Sequence, residues 1–248
     1  MRVLKLFFLI FLCVYLLPAI MSGAVWWLAD RPLSWHQADW SSAALLPPPQ
    51  ADAEAAFYIL AARTGGLKGA VADHSWIVMK SAGESRYERF DVVGWGMPVR
   101  RNSQPPDGRW YSNEPRIVFA RRGSEAAAIL PKVRAAIATY PFAMAGGYQI
   151  FPGPNSNTFT AFVMREVPEI DVALPPVAVG RDYPVGGRLV SIDPDGRDVR
   201  VSFWGYAGIA VGAKTGFELN LLGLVAGIDP ARLGIKIPAF GAFSLLQS

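Results

Sequence analysis

From Val3 to Ala29 the chain is almost wholly apolar, interrupted only by Lys5, Ser22 and a few small residues. Such a run does not fold as an ordinary surface helix in water, and it reaches the roughly 20 residues that carry a helix across a bilayer. Arg2 and Lys5 stand at its leading end. The positive-inside rule therefore puts the N-terminus in the cytoplasm and the rest of the chain across the membrane. Two fates fit the residues. Ser22-Gly23-Ala24 has the small-x-small form of a signal-peptidase site, with Leu6 to Leu17 as the apolar region before it. The run continues, however, through Val25-Trp26-Trp27-Leu28, and paired tryptophans suit the interfacial end of a retained anchor.

The chain of 248 residues fits one large domain, or one domain with appendages. Its only cysteine, Cys13, lies inside the apolar run, so no disulfide, thiolate nucleophile or Cys-based metal site is expected beyond it. The net charge of +4 comes with scattered Arg pairs (Arg100-Arg101, Arg121-Arg122) and no basic tract. That balance argues against nucleic acid and suits an anionic envelope surface. No His/Asp/Glu group has metal-ligand spacing, and neither a metal nor another cofactor is expected. Gly212 to Gly216 resembles only a fragment of a nucleotide loop, without the leading glycine at the required spacing.

Composition divides the chain into an anchor or signal peptide at 1–29 and a Pro/Trp-rich linker at 30–55. A core domain at 56–184 and an apolar, β-rich extension at 185–248 follow. Pro47-Pro48-Pro49 makes the linker extended, as a stalk or a strap. Strands are expected at 56–63, 74–80, 87–95 and 116–121. Ser124 opens a helical stretch with Ile129, Val133 and Ile137 at spacing four, which Pro131 kinks or splits. A second helix is expected over 155–167. Pro154 precedes it, Asn155 or Ser156 caps it, Phe159, Phe162, Val163 and Val167 form its apolar stripe, and Pro168 ends it. In the extension, 188–192 and 199–204 read as a hairpin around Asp193-Pro194-Asp195-Gly196. The apolar segments 207–211 and 217–228 follow, as a core hairpin or a surface resting on a membrane.

The chemistry-bearing residues concentrate in two places. His74 lies on the expected strand 74–80, and Ser156 lies at the start of the expected helix, on its buried face. A His and a hydroxyl at a helix N-terminus are the types a general-base/nucleophile pair needs, although Ser at that point is also a common cap. If Lys80 pairs with Tyr87 across the turn, His74 falls opposite Val93, and Asp91 points to the same face one step along the diagonal. Glu88 has the opposite parity, so Asp91 is the carboxylate that orients the imidazole. Asn155 and Asn157 flank Ser156 as turn residues or as amide donors to a ligand or an oxyanion. His36, in Trp35-His36-Gln37, reads as an interfacial residue.

The order of a His-bearing strand, a returning strand and then Asn155-Ser156-Asn157-Thr158-Phe159 at a helix start resembles the circularly permuted papain-like superfamily. That group includes permuted cell-wall peptidases and lecithin:retinol acyltransferase-like proteins. The resemblance covers about residues 56 to 168, with His74-Ser75-Trp76-Ile77 as the His strand, Asp91 as the polar third residue and Ser156 where the superfamily has Cys. It implies an α+β fold with an antiparallel sheet packed on helices. The whole chain is also similar to an uncharacterised bacterial envelope family, domain of unknown function 3750. That similarity rests on Ala38-Asp39-Trp40-Ser41-Ser42, Val93-Gly94-Trp95-Gly96, Pro152 to Phe159 and Glu218 to Leu224.

Together these readings lead to an expectation of a bacterial inner-membrane protein with its domain in the periplasm. Its partners would be membrane lipid through the N-terminal helix and an envelope component. Three functional classes stay open: a non-catalytic binding module with a papain-like cleft, a Ser-dependent hydrolase or acyltransferase using Ser156, His74 and Asp91, and a structural membrane-associated protein.

Overall fold

The computed structural model describes residues 2–246. Its first element is a continuous helical run. Helix α1 (Arg2–Phe11), a π-helical turn (Leu12–Leu16) and α2 (Leu17–Leu28) together form one span long and apolar enough to cross a membrane. The span docks along one flank of the domain. Tyr15 donates to the carbonyl of Leu219 (3.1 Å), Ser22 to that of Ala70 (2.5 Å) and Trp26 Nε1 to that of Gly66 (2.9 Å).

The following segment is a strap rather than a free stalk. Trp40 and Leu46 pack on the sheet, and Asp107 accepts from the N–H groups of Leu45 and Leu46 and from the Ser42 hydroxyl. The first sheet contains β1 (Ala56–Arg63), β2 (Asp73–Lys80), β3 (Glu88–Val92), β4 (Val99–Arg101) and β5 (Arg116–Arg122). Its order is β4-β3-β2-β1-β5, antiparallel throughout. Strand β1 is apolar along its length because it is central and covered on both faces. Phe57 and Ile59 face the helices, while Tyr58 and Leu60 face the strap. The β2–β3 register pairs Met79 with Glu88 and Ile77 with Phe90, the frame expected from the turn at Ser81–Arg86. The expected strand 87–95 stops at Val92, because Gly94 and Gly96 turn the chain into β4.

Helix α3 (Gly123–Ala138) is single and unsplit, with Pro131 inside it. Proline removes one backbone donor, and burial of Ile129, Leu130 and Val133 offsets that loss. Helix α4 (Ser156–Glu166) packs on β2, and both helices cover the same sheet face. A second, seven-stranded antiparallel meander follows. Its strands are β6 (Val190–Ile192), β7 (Asp198–Phe203), β8 (Ala207–Gly212), β9 (Gly216–Leu221), β10 (Leu224–Asp229), β11 (Gly234–Ile237) and β12 (Gly241–Ser244). The apolar stretch 217–228 is two strands, because Leu222 and Gly223 both take positive φ (52° and 80°) in a two-residue turn.

Candidate functional site

Strand β2 sends alternate side chains to opposite faces of the sheet. Ser75, Ile77 and Met79 face the helices, and His74, Trp76 and Val78 face the strap. On the strap side His74 is 5% exposed and lies flat against Trp110, with ring centroids 3.6 Å apart and planes 3° apart. Its Nε2 is 4.0 Å from Oδ2 of Asp91 and has no hydrogen-bond partner among the described residues. The carboxylate is held instead by Arg89, whose Nε donates at 3.0 Å and whose Nη2 lies at 2.8 Å. The Arg89 guanidinium also covers the Trp76 ring (4.3 Å) and donates to the carbonyl of Pro105 (2.8 Å).

Burial pushes the His74 imidazolium down from its ordinary 6.5, against the opposing pull of Asp91. At Asp91 burial acts to raise the carboxyl, but the neighbouring imidazole of His74 and the charge and hydrogen bonds of Arg89 prevail and hold it below its usual range. Both depressed groups bind a proton more readily in the unfolded chain, so stability rises with pH across each window. The His74 contribution is fully present above about pH 6.5 and is lost as the pH falls below that value. Urea unfolding midpoints should therefore drop between about pH 7.5 and about pH 5.5, and His74→Gln should flatten that step. An equally steep profile in the variant would contradict it.

At the start of α4 the cap is Asn155, not Ser156. Asn155 Oδ1 accepts from the N–H groups of Asn157 (2.9 Å) and Thr158 (3.2 Å), and Thr158 Oγ1 accepts from the Asn155 N–H to complete a capping box. The Asn155 amide donates to the carbonyls of Ile150 (2.9 Å) and Val179 (3.0 Å). Asn157 donates to the carbonyls of Asp73 (2.9 Å) and Val179 (2.8 Å) and accepts from the Ser75 hydroxyl (2.8 Å). Both amides thus stitch the helix to β2 and to the 179–180 turn, where Gly180 has φ +96° and a Cβ would strike the Asn155 amide. Ser156 occupies the first helical position, 4% exposed. Among the described residues its hydroxyl makes no hydrogen bond to His74. The side chains tying α4 to β2 are Asn157 and Thr160, both to Ser75.

Beyond Trp110 the strap-side face opens into a cleft of about 240 Å³ lined by Trp35, Trp95, Arg100, Gln104 and Trp110. Trp35 stands edge-on to both Trp95 and Trp110, at 5.5 and 6.5 Å. Sequence reasoning did not find Arg89, Trp95 or Trp110. Arg89 shares the parity of Asp91 two residues on, which was a usable signal. Trp95 and Trp110 arrive through loops, with no periodic signal to place them.

The class defined by these features is a mixed α+β protein of antiparallel sheets, preceded by a helix apolar enough to span a membrane or serve as a signal sequence. Residues 54–183, which hold the first sheet, both packed helices and all the site residues above except Trp35, match the family described as protein of unknown function (DUF3750). The chain belongs to that family. No curated protein and no solved structure matches it.

Proposed function

We propose that this chain is a membrane-anchored module of the bacterial envelope that binds its ligand in the Trp-lined cleft without turning it over. The anchor is the N-terminal helix in the inner membrane, with the domain in the periplasm. The observation that carries the reading is the stacking of Trp110 on His74. It blocks one face of the imidazole and at the same time forms a wall of the open cleft. Clefts with aromatic walls and a few polar groups bind ligands by ring contact plus oriented hydrogen bonds. Trp95 and the half-buried Trp35 offer ring surface above a floor made by the buried Trp110, Arg100 offers a cation and Gln104 an amide, which fits a sugar ring carrying a carboxylate or an amide. Binding to isolated cell-wall sacculi tests this directly. The full chain should co-sediment, and Trp95→Ala should weaken retention several-fold, whereas equal retention would sink the reading.

A second reading, a Ser-dependent hydrolase or acyltransferase on a papain-like core, draws on separate observations. Ser156 stands at a helix N-terminus, where the cap leaves its own N–H free of Asn155. His74 directs Nε2 toward Asp91. The mechanism expected for that class has Ser156 attack, His74 take its proton and Asp91 fix the tautomer; α4 packs on the face of β2 opposite to the one that carries His74, which is why this reading ranks second. A serine-directed fluorophosphonate separates the two classes. The binding module gives no adduct that Ser156→Ala abolishes, and the hydrolase does.

A further inference from the structure

The seven-stranded sheet has its polar face inside and its apolar face outside. Directly paired residues form a row across all seven strands, from Ile192 through Val199, Val211, Phe217 and Ile228 to Ile235 and Phe243. Every member is exposed, from 39% for Phe217 to 63% for Ile192. A parallel row, Val190, Val201, Ile209 and Leu219, runs beside it. The alternate residues turn inward and include Arg200, Glu218 and Lys236, which share one paired row. Glu218 and Lys236 are buried, and Arg200 is nearly so. A sheet with one face in water keeps its polar face there, and this sheet does the reverse.

What covers that face is indicated by the helix. Tyr15, midway along the apolar span, donates to the Leu219 carbonyl on β9, the central strand, three strands from either edge. Trp26 lies 11 residues on, about 16 Å farther along the helix axis, with Trp27 beside it and Arg31 over both rings at 5.8 and 5.4 Å. Tryptophan with a neighbouring cation marks a membrane interface. The sheet therefore meets the span at its middle rather than at its interfacial end. The two rows, exposed except at the half-buried Val201, contain no hydrogen-bonding side chain, whereas a protein interface of that size ordinarily carries several. The interior strands β7 to β11 pair on both sides within the ladder, as hydrocarbon requires.

We infer that the outer face of the seven-stranded sheet is immersed in the acyl chains of the bilayer that the N-terminal helix crosses. The protein is thus held by helix and sheet together. This rests on the anchored reading above. The test uses the full chain with Cys13→Ser, reconstituted in phosphatidylethanolamine/phosphatidylglycerol vesicles. A single nitroxide is placed in turn at Leu9, Val211, Ile228 and the exposed loop residue Ser103. Collisions with oxygen and with a water-soluble nickel chelate are compared. Val211 and Ile228 should resemble Leu9, with an oxygen-to-nickel ratio several-fold above that of Ser103. Nickel access at the sheet equal to Ser103, with Leu9 in lipid, overturns the immersion and leaves the anchor intact. Low access to both probes at the sheet means that a protein covers the face, which also overturns it. Leu9 in water overturns the anchor and the shared bilayer with it.

Discussion

Glu218→Ala should destabilise the protein by about 3–5 kcal/mol, the usual cost of removing one partner from a buried ion pair. Glu218 is 2% exposed and binds two cations, Arg181 through one oxygen and Lys236 through the other at 2.5 Å. Arg181 is 5% exposed and also donates to the carbonyl of Leu174, while Lys236 donates to that of Thr215. Truncating the carboxylate leaves two positive charges facing each other away from water, and burial makes that far costlier than at a surface. The triple change Arg181→Met, Glu218→Leu, Lys236→Met should recover most of the loss, since a well-packed apolar replacement of a buried charge cluster is often neutral. Denaturant unfolding of the full chain in detergent measures both. A single variant within about 1 kcal/mol of the parent would show that the cluster is hydrated, as surface pairs are.

Asn155→Ala should cost about 2–3 kcal/mol, while Ser156→Ala should stay within about 1 kcal/mol. The first removes a cap worth about 1 kcal/mol and strips the Ile150 carbonyl of its donor; Val179 keeps Asn157. The second deletes a hydroxyl that Asn155 does not use in capping the helix. Asn155→Asp should fall between the two, because it keeps the cap and favours the helix dipole but sets a carboxylate against two carbonyl oxygens. Thermal unfolding followed by circular dichroism ranks the three. Equal losses for Asn155→Ala and Ser156→Ala would mean that Ser156 has a packing role as large as the cap's.

The α4 start was readable because its signals are local: Pro154, an Asn at the cap and an apolar stripe lie within about three turns. The β2–β3 register was readable for the same reason, since a short turn and strict alternation leave one frame, and that frame brings Asp91 toward His74. The role of each Asn was not readable. The Asn157 amide is satisfied by carbonyls of Asp73 and Val179, 84 and 22 residues away, and the Asn155 amide reaches Val179 across 24; no spacing rule reaches that far. Arg89 was passed over beside the more conspicuous Glu88, although its parity places it on Asp91.

The C-terminal region shows the division most plainly. Alternation in Phe217-Glu218-Leu219-Asn220-Leu221 specifies a strand with one apolar and one polar face, because side chains alternate with a period of two. Period alone does not say which face points outward. That choice was made by Arg181, arriving from a distant turn to meet Glu218, and by Tyr15, arriving from the N-terminal helix to meet Leu219. The sequence by itself therefore determined, without reaching β4, β11 or β12, the apolar span, the strands β1, β2 and β5, the start of α4 and the relative parity of His74 and Asp91. Each follows from forces acting over a few neighbouring residues. Only the tertiary structure decided that Trp110 covers His74, that Asn157 staples α4 to β2 and that the last sheet turns its apolar face outward. Those outcomes depend on burial and ion pairing between segments that only folding brings together.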